Sequence, residues 1–239
     1  MFSSFEWMMA MRYLRARRQE GFISVIAWFS LLGIGLGVAT LIIVMSVMNG
    51  FRQELLSRIL GVNGHLSIYG QAQSLTDFDA LANKVAKLAG VRKVTPIIEG
   101  QVMASANGNA NGALVRGMRP ADARARPIIA DNIVAGSLDD FGGQDSVLIG
   151  TRLARKLGLR VGDNITLISP KGNITVFGTV PRMRAYRVSG LFNVGMHEYD
   201  SSFVFMPLGA AQIYFKLPKA VNYLDVVLDN PDTAPAMSR

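Results

Sequence analysis

In this 239-residue chain the one concentrated polar group that could hold a metal is His197-Glu198-Tyr199-Asp200. Histidine and carboxylates are metal ligands, but a zinc site needs three or four that converge. His65 is the only other histidine, and cysteine is absent. Neighbouring residues on a strand point to opposite faces, so His197 and Glu198 do not converge, and the segment reads as a solvated loop without metal. Asp139-Asp140 has the makings of an acid/base pair, but it lies between Gly136 and Gly142 and reads as a surface turn. There is no G-x-S-x-G nucleophile elbow and no G-x-x-x-x-G-K-[ST] phosphate loop. The chain therefore reads as a non-enzyme with no cofactor of its own.

A second segment carries interaction chemistry. Pro170–Arg184 (PKGNITVFGTVPRMR) interrupts an otherwise regular strand pattern and mixes Val176, Phe177, Val180 and Met183 with Gly178, Pro181, Arg182 and Arg184. It reads either as a hairpin with a partly buried tip or as a protruding loop whose apolar tip docks a partner. In the second case Pro181 limits the entropy lost on docking.

The elements that must position these groups form an α+β pattern. His65–Tyr69 alternates as a strand. Thr76 is expected to cap a helix running to Ala89, with Phe78, Leu81, Val85 and Leu88 on one face and Gly90 ending it. Val91–Ala106 and Ala113–Met118 flank the turn signal NGNANG as a hairpin. A helix over Thr151–Leu157 ends at Gly158, and Gly162-Asp163 turns the chain into a strand at Asn164–Ser169. Strands at Arg187–Phe192, Ser202–Met206 and Tyr223–Asp229 follow, with a helix at Leu208–Leu217.

Ahead of this head lies a run of 31 residues from Gly21 to Phe51 without Asp, Glu, Lys or Arg. About 20 apolar residues suffice to span a bilayer as a helix. The run is about twice the length of a signal-peptide core and no small-x-small cleavage site follows it, so it reads as a retained anchor. The helix is expected to continue past Phe51 through Leu55, Leu56, Ile59 and Leu60 and to stop at Gly61. Arg12, Arg15, Arg17 and Arg18 precede the span, and only Arg52 and Arg58 lie at similar range after it. The positive-inside rule then puts the N-terminus in the cytoplasm and the head outside.

Residues 3–18 read as an amphipathic helix. Ser3 and Glu6 fit a capping box, Phe5, Trp7, Met8, Met11 and Leu14 form an apolar side, and Arg12, Arg15 and Arg18 form a basic one suited to a cytoplasmic lipid surface. In the span, Gly33 and Gly37 form a small-xxx-small pair that permits close helix packing.

Net charge is +8, of which +6 lies beyond the span as 21 basic and 15 acidic residues, spread without a basic block. With no basic helix, zinc finger or aromatic stacking platform, nucleic acid is not an expected partner. The absence of cysteine excludes a disulfide framework. The high apolar content, 50%, and the mean hydropathy of +0.27 are inflated by the span and do not make the head membranous.

Three runs carry a family resemblance: Met11-Arg12-Tyr13-Leu14-Arg15, then Ser30–Val38 (SLLGIGLGV), then Ser46–Leu55 (SVMNGFRQEL). They resemble LolC/LolE, the membrane subunits of the bacterial lipoprotein-releasing ABC transporter, and Ile149–Leu167 is similar to that family's periplasmic core. The resemblance implies one N-terminal transmembrane helix followed by a mixed α/β periplasmic domain of MacB-like type. It divides the chain into a cytoplasmic amphipathic helix at 1–20, transmembrane helix 1 at 21–50 and a periplasmic domain at 51–239, incomplete at its C-terminal end and lacking three later membrane helices. It further implies an inner-membrane location, a cytoplasmic ATPase partner, LolD, that binds ATP and Mg, a second membrane subunit in a homo- or heterodimer, a periplasmic carrier, LolA, and lipoprotein substrates. Carried onto these residues, Val44, Val47, Met48 and Phe51 would contact lipoprotein, with plain lipid contact or helix packing as the other reading. Thr175, Val176, Phe177, Gly178, Thr179, Val180 and Pro181 match the family's carrier-docking hook. An FtsX-like regulator that transports nothing, or a MacB-like exporter subunit, is the alternative.

Overall fold

The computed structural model describes residues 4–14, 21–70, 74–175 and 178–237. They fall into two compact units, Met1–Leu56 and Ser57–Arg239.

The first unit is helical. Helix α1 spans Ser4–Leu14, and helix α2 spans Gly21–Val62. Ser3 and residues 15–18 of the expected amphipathic helix lie outside the described residues. Phe5, Trp7, Met8 and Met11 of α1 are exposed. At 1.5 Å per residue, the 33 residues Phe22–Glu54 of α2 rise about 50 Å, more than a hydrocarbon core of about 30 Å. Gly33, Gly35, Gly37 and Gly50 do not break it. Its stretch Phe22–Glu54 is long and apolar enough to cross a membrane and none of its most apolar window is buried. The helix runs one residue beyond the expected stop. Gly61 is still helical, and the end is set by capture of the Val62 carbonyl, described below.

The head is built on a six-strand barrel. Its strands are β2 (Val91–Ala106), β3 (Asn109–Met118), β5 (Ser146–Gly150), β6 (Asn164–Thr175), β7 (Gly178–Phe192) and β8 (Phe203–Pro207). Neighbours run β2-β3-β8-β5-β7-β6, and β6 pairs back onto β2 through Met103↔Ile168, Ala104↔Leu167 and Ser105↔Thr166, which closes the ring. The β3/β8 and β5/β7 pairs are parallel and the others antiparallel. Outside the barrel, β9 (Tyr223–Leu228) pairs the first half of β2, and β1 (Leu66–Tyr69) extends that edge. The short β4 (Ile133–Gly136) pairs β7.

The apolar runs of β5 and β8 follow from burial on both faces. Val204 and Met206 join one core cluster with Val147, Ile149 and Tyr186, whereas Phe203 and Phe205 join another with Leu148, Phe192 and Tyr223. The hairpin expected at NGNANG is present, turning at Asn107 (φ 50°) and Gly108 (φ 77°), the left-handed pair of a type I′ turn. Asn107 Nδ2 also donates to the carbonyls of Leu157 (3.1 Å) and Gly158 (3.0 Å), tying this turn to the end of helix α6 (Thr151–Leu157). Gly158 takes the left-handed C′ position, as its place after Leu157 requires.

Several elements depart from expectation. Helix α3 spans only Phe78–Val85, so Leu88, one turn further on, is exposed and not on the core face. Its N-cap is Asp77, without a side-chain bond, and Thr76 contributes only a backbone carbonyl to Phe78 N. Two short helices, α4 (Pro120–Arg124) and α5 (Pro127–Ala130), fill a stretch with no periodicity to betray them; each starts on proline at N1. The segment at 197–200 is not a solvated loop. It opens helix α7 (His197–Ser202), with Tyr199 and Asp200 buried. Asp200 accepts from Val194 N (2.9 Å) and Gly195 N (3.2 Å), closing the turn into α7. A carboxylate buried to satisfy backbone amides looks, in sequence, like a polar loop.

Burial pushes the Asp200 pKa above its ordinary value, against the opposing pull of the Val194 and Gly195 amides. A raised folded-state pKa adds stability that is complete below the unfolded value and is lost as pH rises through the folded one. Asp200→Ala is expected to destabilise the 57–239 unit by about 1–3 kcal/mol at neutral pH, because two amides lose their acceptor. The deficit should grow as pH falls through the raised pKa, as urea unfolding at two pH values would read.

Candidate functional site

The first candidate site is the end of the β6/β7 hairpin. The two strands pair from Asn164↔Arg187 to Thr175↔Gly178, with an irregularity between Ser169 and Asn173. Barrel pairing of β6 to β2 covers Thr166–Ile168. Among the described pairings, the hairpin from Asn173 onward is therefore a two-stranded ribbon that outruns the barrel. The expected interruption is a bulge at Pro170–Gly172, and the strands resume beyond it. Gly172 is required there, since a Cβ would lie 2.1 Å from the Val180 carbonyl oxygen. At the ribbon's base, Arg182 Nη1 donates to the Tyr214 carbonyl of helix α8 (Leu208–Phe215).

Of the seven hook residues, Val176 and Phe177 lie outside the described residues. Thr175 and Gly178 are paired across the turn, and Thr179 pairs Ile174. Val180, 52% exposed, and Pro181 present their side chains to solvent, as does Met183, 63% exposed. Pro181 costs the ribbon a ladder donor, which a strand tolerates at an edge.

The second candidate lies on α2. Val44, Val47, Met48 and Phe51 fall at i, i+3, i+4 and i+7, one helix face, and each is 52–64% exposed. A Cβ on Gly33 or Gly37 would meet nothing within 4 Å, so both remain open. The α2 set and the hook set each cluster within their own unit.

A third constellation escaped the sequence reading. Arg116 and Arg126 both donate through Nη1 to the Val62 carbonyl, at 3.0 and 2.6 Å. Arg116 also binds Glu99 through Nε (2.9 Å) and Nη2 (2.6 Å), and Asn63 Oδ1 through Nη2 (2.9 Å). Arg126 is paired with Asp225, and both side chains are buried. Asp225 Oδ1 accepts from Gly64 N at 2.7 Å, and Tyr223 Oη donates to Glu99 Oε2 at 3.0 Å. Burial opposes the Arg116 charge, but Tyr223, Glu99 and Asp225 outweigh it and hold the guanidinium pKa above its ordinary value. The only hint in sequence is a lone charge inside an apolar strand, as in PIIEGQV, GALVRGM and YLDVVL.

Among the described residues, no three His, Asp or Glu side chains group as a metal site. Asp139 is exposed and faces Arg124 at 3.5 Å.

The model of the MacB-like periplasmic core domain matches residues 27–239. Over all 239 residues the chain is 35% identical to the lipoprotein-releasing system transmembrane protein LolC of Neisseria meningitidis serogroup B, covering 57% of that protein. The chain belongs to the MacB-like periplasmic core domain family. It is also 36% identical to LolC of Xylella fastidiosa over 204 residues, 84% of this chain and 48% of that one. The chain thus spans about half the length of these curated relatives. The extracellular domain of the ABC-type transporter YknZ from Gram-positive bacteria superposes with a TM-score of 0.48 at 15% identity, covering 72% of this chain and 87% of that one. Among the described residues, this chain is a transmembrane protein with one N-terminal membrane-length helix and a periplasmic-type domain.

Proposed function

We propose that this chain is the N-terminal part of a non-catalytic permease subunit that releases lipoproteins from the bacterial inner membrane to a periplasmic carrier. ATP hydrolysis belongs to a cytoplasmic partner of LolD type, and a second membrane subunit completes the permease. The carrier, of LolA type, docks on the hook at Thr175–Pro181. The acyl chains leave the membrane past Val44, Val47, Met48 and Phe51 on α2. Extraction costs about 0.8 kcal/mol per CH₂ removed from lipid, so it needs both an energy source and an apolar receiving surface. The single observation that carries the reading is a family head in which one ribbon, with Val180 and Met183 exposed on it, outruns the barrel among the described pairings. A two-stranded ribbon is marginal alone, and docking a partner gives it a reason to persist.

The reading is tested by reconstituting the full-length protein with its ATPase partner in proteoliposomes loaded with triacylated lipoprotein. ATP-dependent transfer to added carrier is expected. Hydrolysis without transfer would overturn the reading. Orientation is tested separately. Ser105→Cys, at the end of β2, should react with a membrane-impermeant thiol reagent in intact spheroplasts, and full protection there would reverse the topology.

A further inference from the structure

Four consecutive residues, from Val62 at the end of α2 to His65, are captured by groups far away in sequence, all inside the Ser57–Arg239 unit. The Val62 carbonyl takes two guanidinium donors. Asn63 accepts from Arg116 and donates to Tyr199 Oη at 2.6 Å. Gly64 N is held by Asp225, and a Cβ there would lie 2.5 Å from Asp225 Oδ1. His65 donates its backbone N–H to the Val226 carbonyl at 2.8 Å, and its Nδ1 accepts from Leu228 N at 2.9 Å. A helix end needs partners for its orphan carbonyls, but one cap or water suffices. Two buried arginines on one carbonyl, each neutralised by its own carboxylate, are more than capping demands.

Buried ion pairs are poor stabilisers, because desolvation cancels much of their attraction and apolar residues of similar volume often do as well. What the fork geometry of arginine supplies instead is a fixed direction and register. We propose that Arg116 and Arg126, clasping the Val62 carbonyl, are positioning residues for lipoprotein transfer, holding the end of α2 in one register against β2, β3 and β9. The inference rests on the release function proposed above. In it, displacement reaching the end of α2 is delivered to the head through the Val62 carbonyl and the Gly64 amide. A looser joint lets the helix end slip while the head stays where it was.

The test uses the full-length protein with its ATPase partner in proteoliposomes. The double variant Arg126→Met, Asp225→Leu replaces the buried pair by apolar residues, and Arg116→Lys keeps the charge beside Glu99 but removes the fork. Three quantities are read: ATP hydrolysis, carrier affinity and lipoprotein transferred per ATP. Hydrolysis and affinity should match the unsubstituted protein, while transfer per ATP falls by about tenfold, within the range of coupling changes produced by residues touching no ligand. Transfer per ATP equal to the unsubstituted protein in both variants overturns the proposal. A double variant that loses carrier affinity as well assigns the pair to stability alone and also overturns it. If the unsubstituted complex transfers nothing, the release reading itself has failed, which is a separate outcome.

Discussion

A protein carrying Phe177→Glu together with Pro181→Ala should lose carrier binding while its head stays folded. In sequence Phe177 falls between Thr175 and Gly178, the last described pair of the β6/β7 ribbon, and Pro181 lies on the β7 arm of that ribbon, past the last pairing of β6 to the barrel. Val180 and Pro181, the described side chains on this part of the ribbon, are exposed and join no core cluster, so Pro181→Ala removes no core contact. Binding energy at protein interfaces concentrates in a few buried apolar anchors, each costing about 2 kcal/mol or more when lost, roughly a thirtyfold change in Kd. A carboxylate at 177 must also be desolvated to enter an apolar pocket. Pro181→Ala adds backbone freedom to the free ribbon, which docking must then remove. A pull-down with carrier reads the loss, and circular dichroism of the 57–239 unit checks the fold. Unchanged affinity would remove the hook from the docking site.

How much of this was legible in the sequence follows from the range of each interaction. The span was readable because thirty-one uncharged residues have few alternatives. The α6 helix and its Gly158 stop, the Asn107-Gly108 turn and the strand at 223–228 were readable because their signals are local. The barrel was not. Its closure depends on β6 meeting β2 some 65 residues upstream (Met103↔Ile168), and nothing in either strand names the other. The length of α3 was overestimated because Leu88 continues the apolar spacing after the helix has stopped. The acidic segment at 197–200 was misread because a buried carboxylate serving backbone amides has the composition of a loop. Of the candidate sites, the hook was visible as apolar residues among turn formers. The clasp was not, since its members Asn63, Glu99, Arg116, Arg126 and Asp225 come from five separate stretches.

The largest loss of stability is expected from Arg126→Ala, and the reason lies in what the substitution leaves behind. Arg126 and Asp225 are both buried, with side-chain exposures of 7% and 5%. Removing the guanidinium strands the Asp225 carboxylate, which keeps only the Gly64 amide as a described donor. Breaking one side of a buried pair costs about 3–5 kcal/mol, because the remaining charge has no compensation. The Val62 carbonyl keeps Arg116, so its own penalty is small. Arg126→Ala should therefore unfold the 57–239 unit at markedly lower urea, while adding Asp225→Leu should recover part of the loss, removing the stranded charge but leaving the Gly64 amide without its acceptor. The recovery separates the two roles of the pair. If the double variant is as unstable as the single one, the cost came from lost packing around the arginine stem and the orphaned Gly64 amide, not from the stranded charge. If stability returns but transfer does not, the arginine matters for where it holds α2 and not for how tightly the head folds.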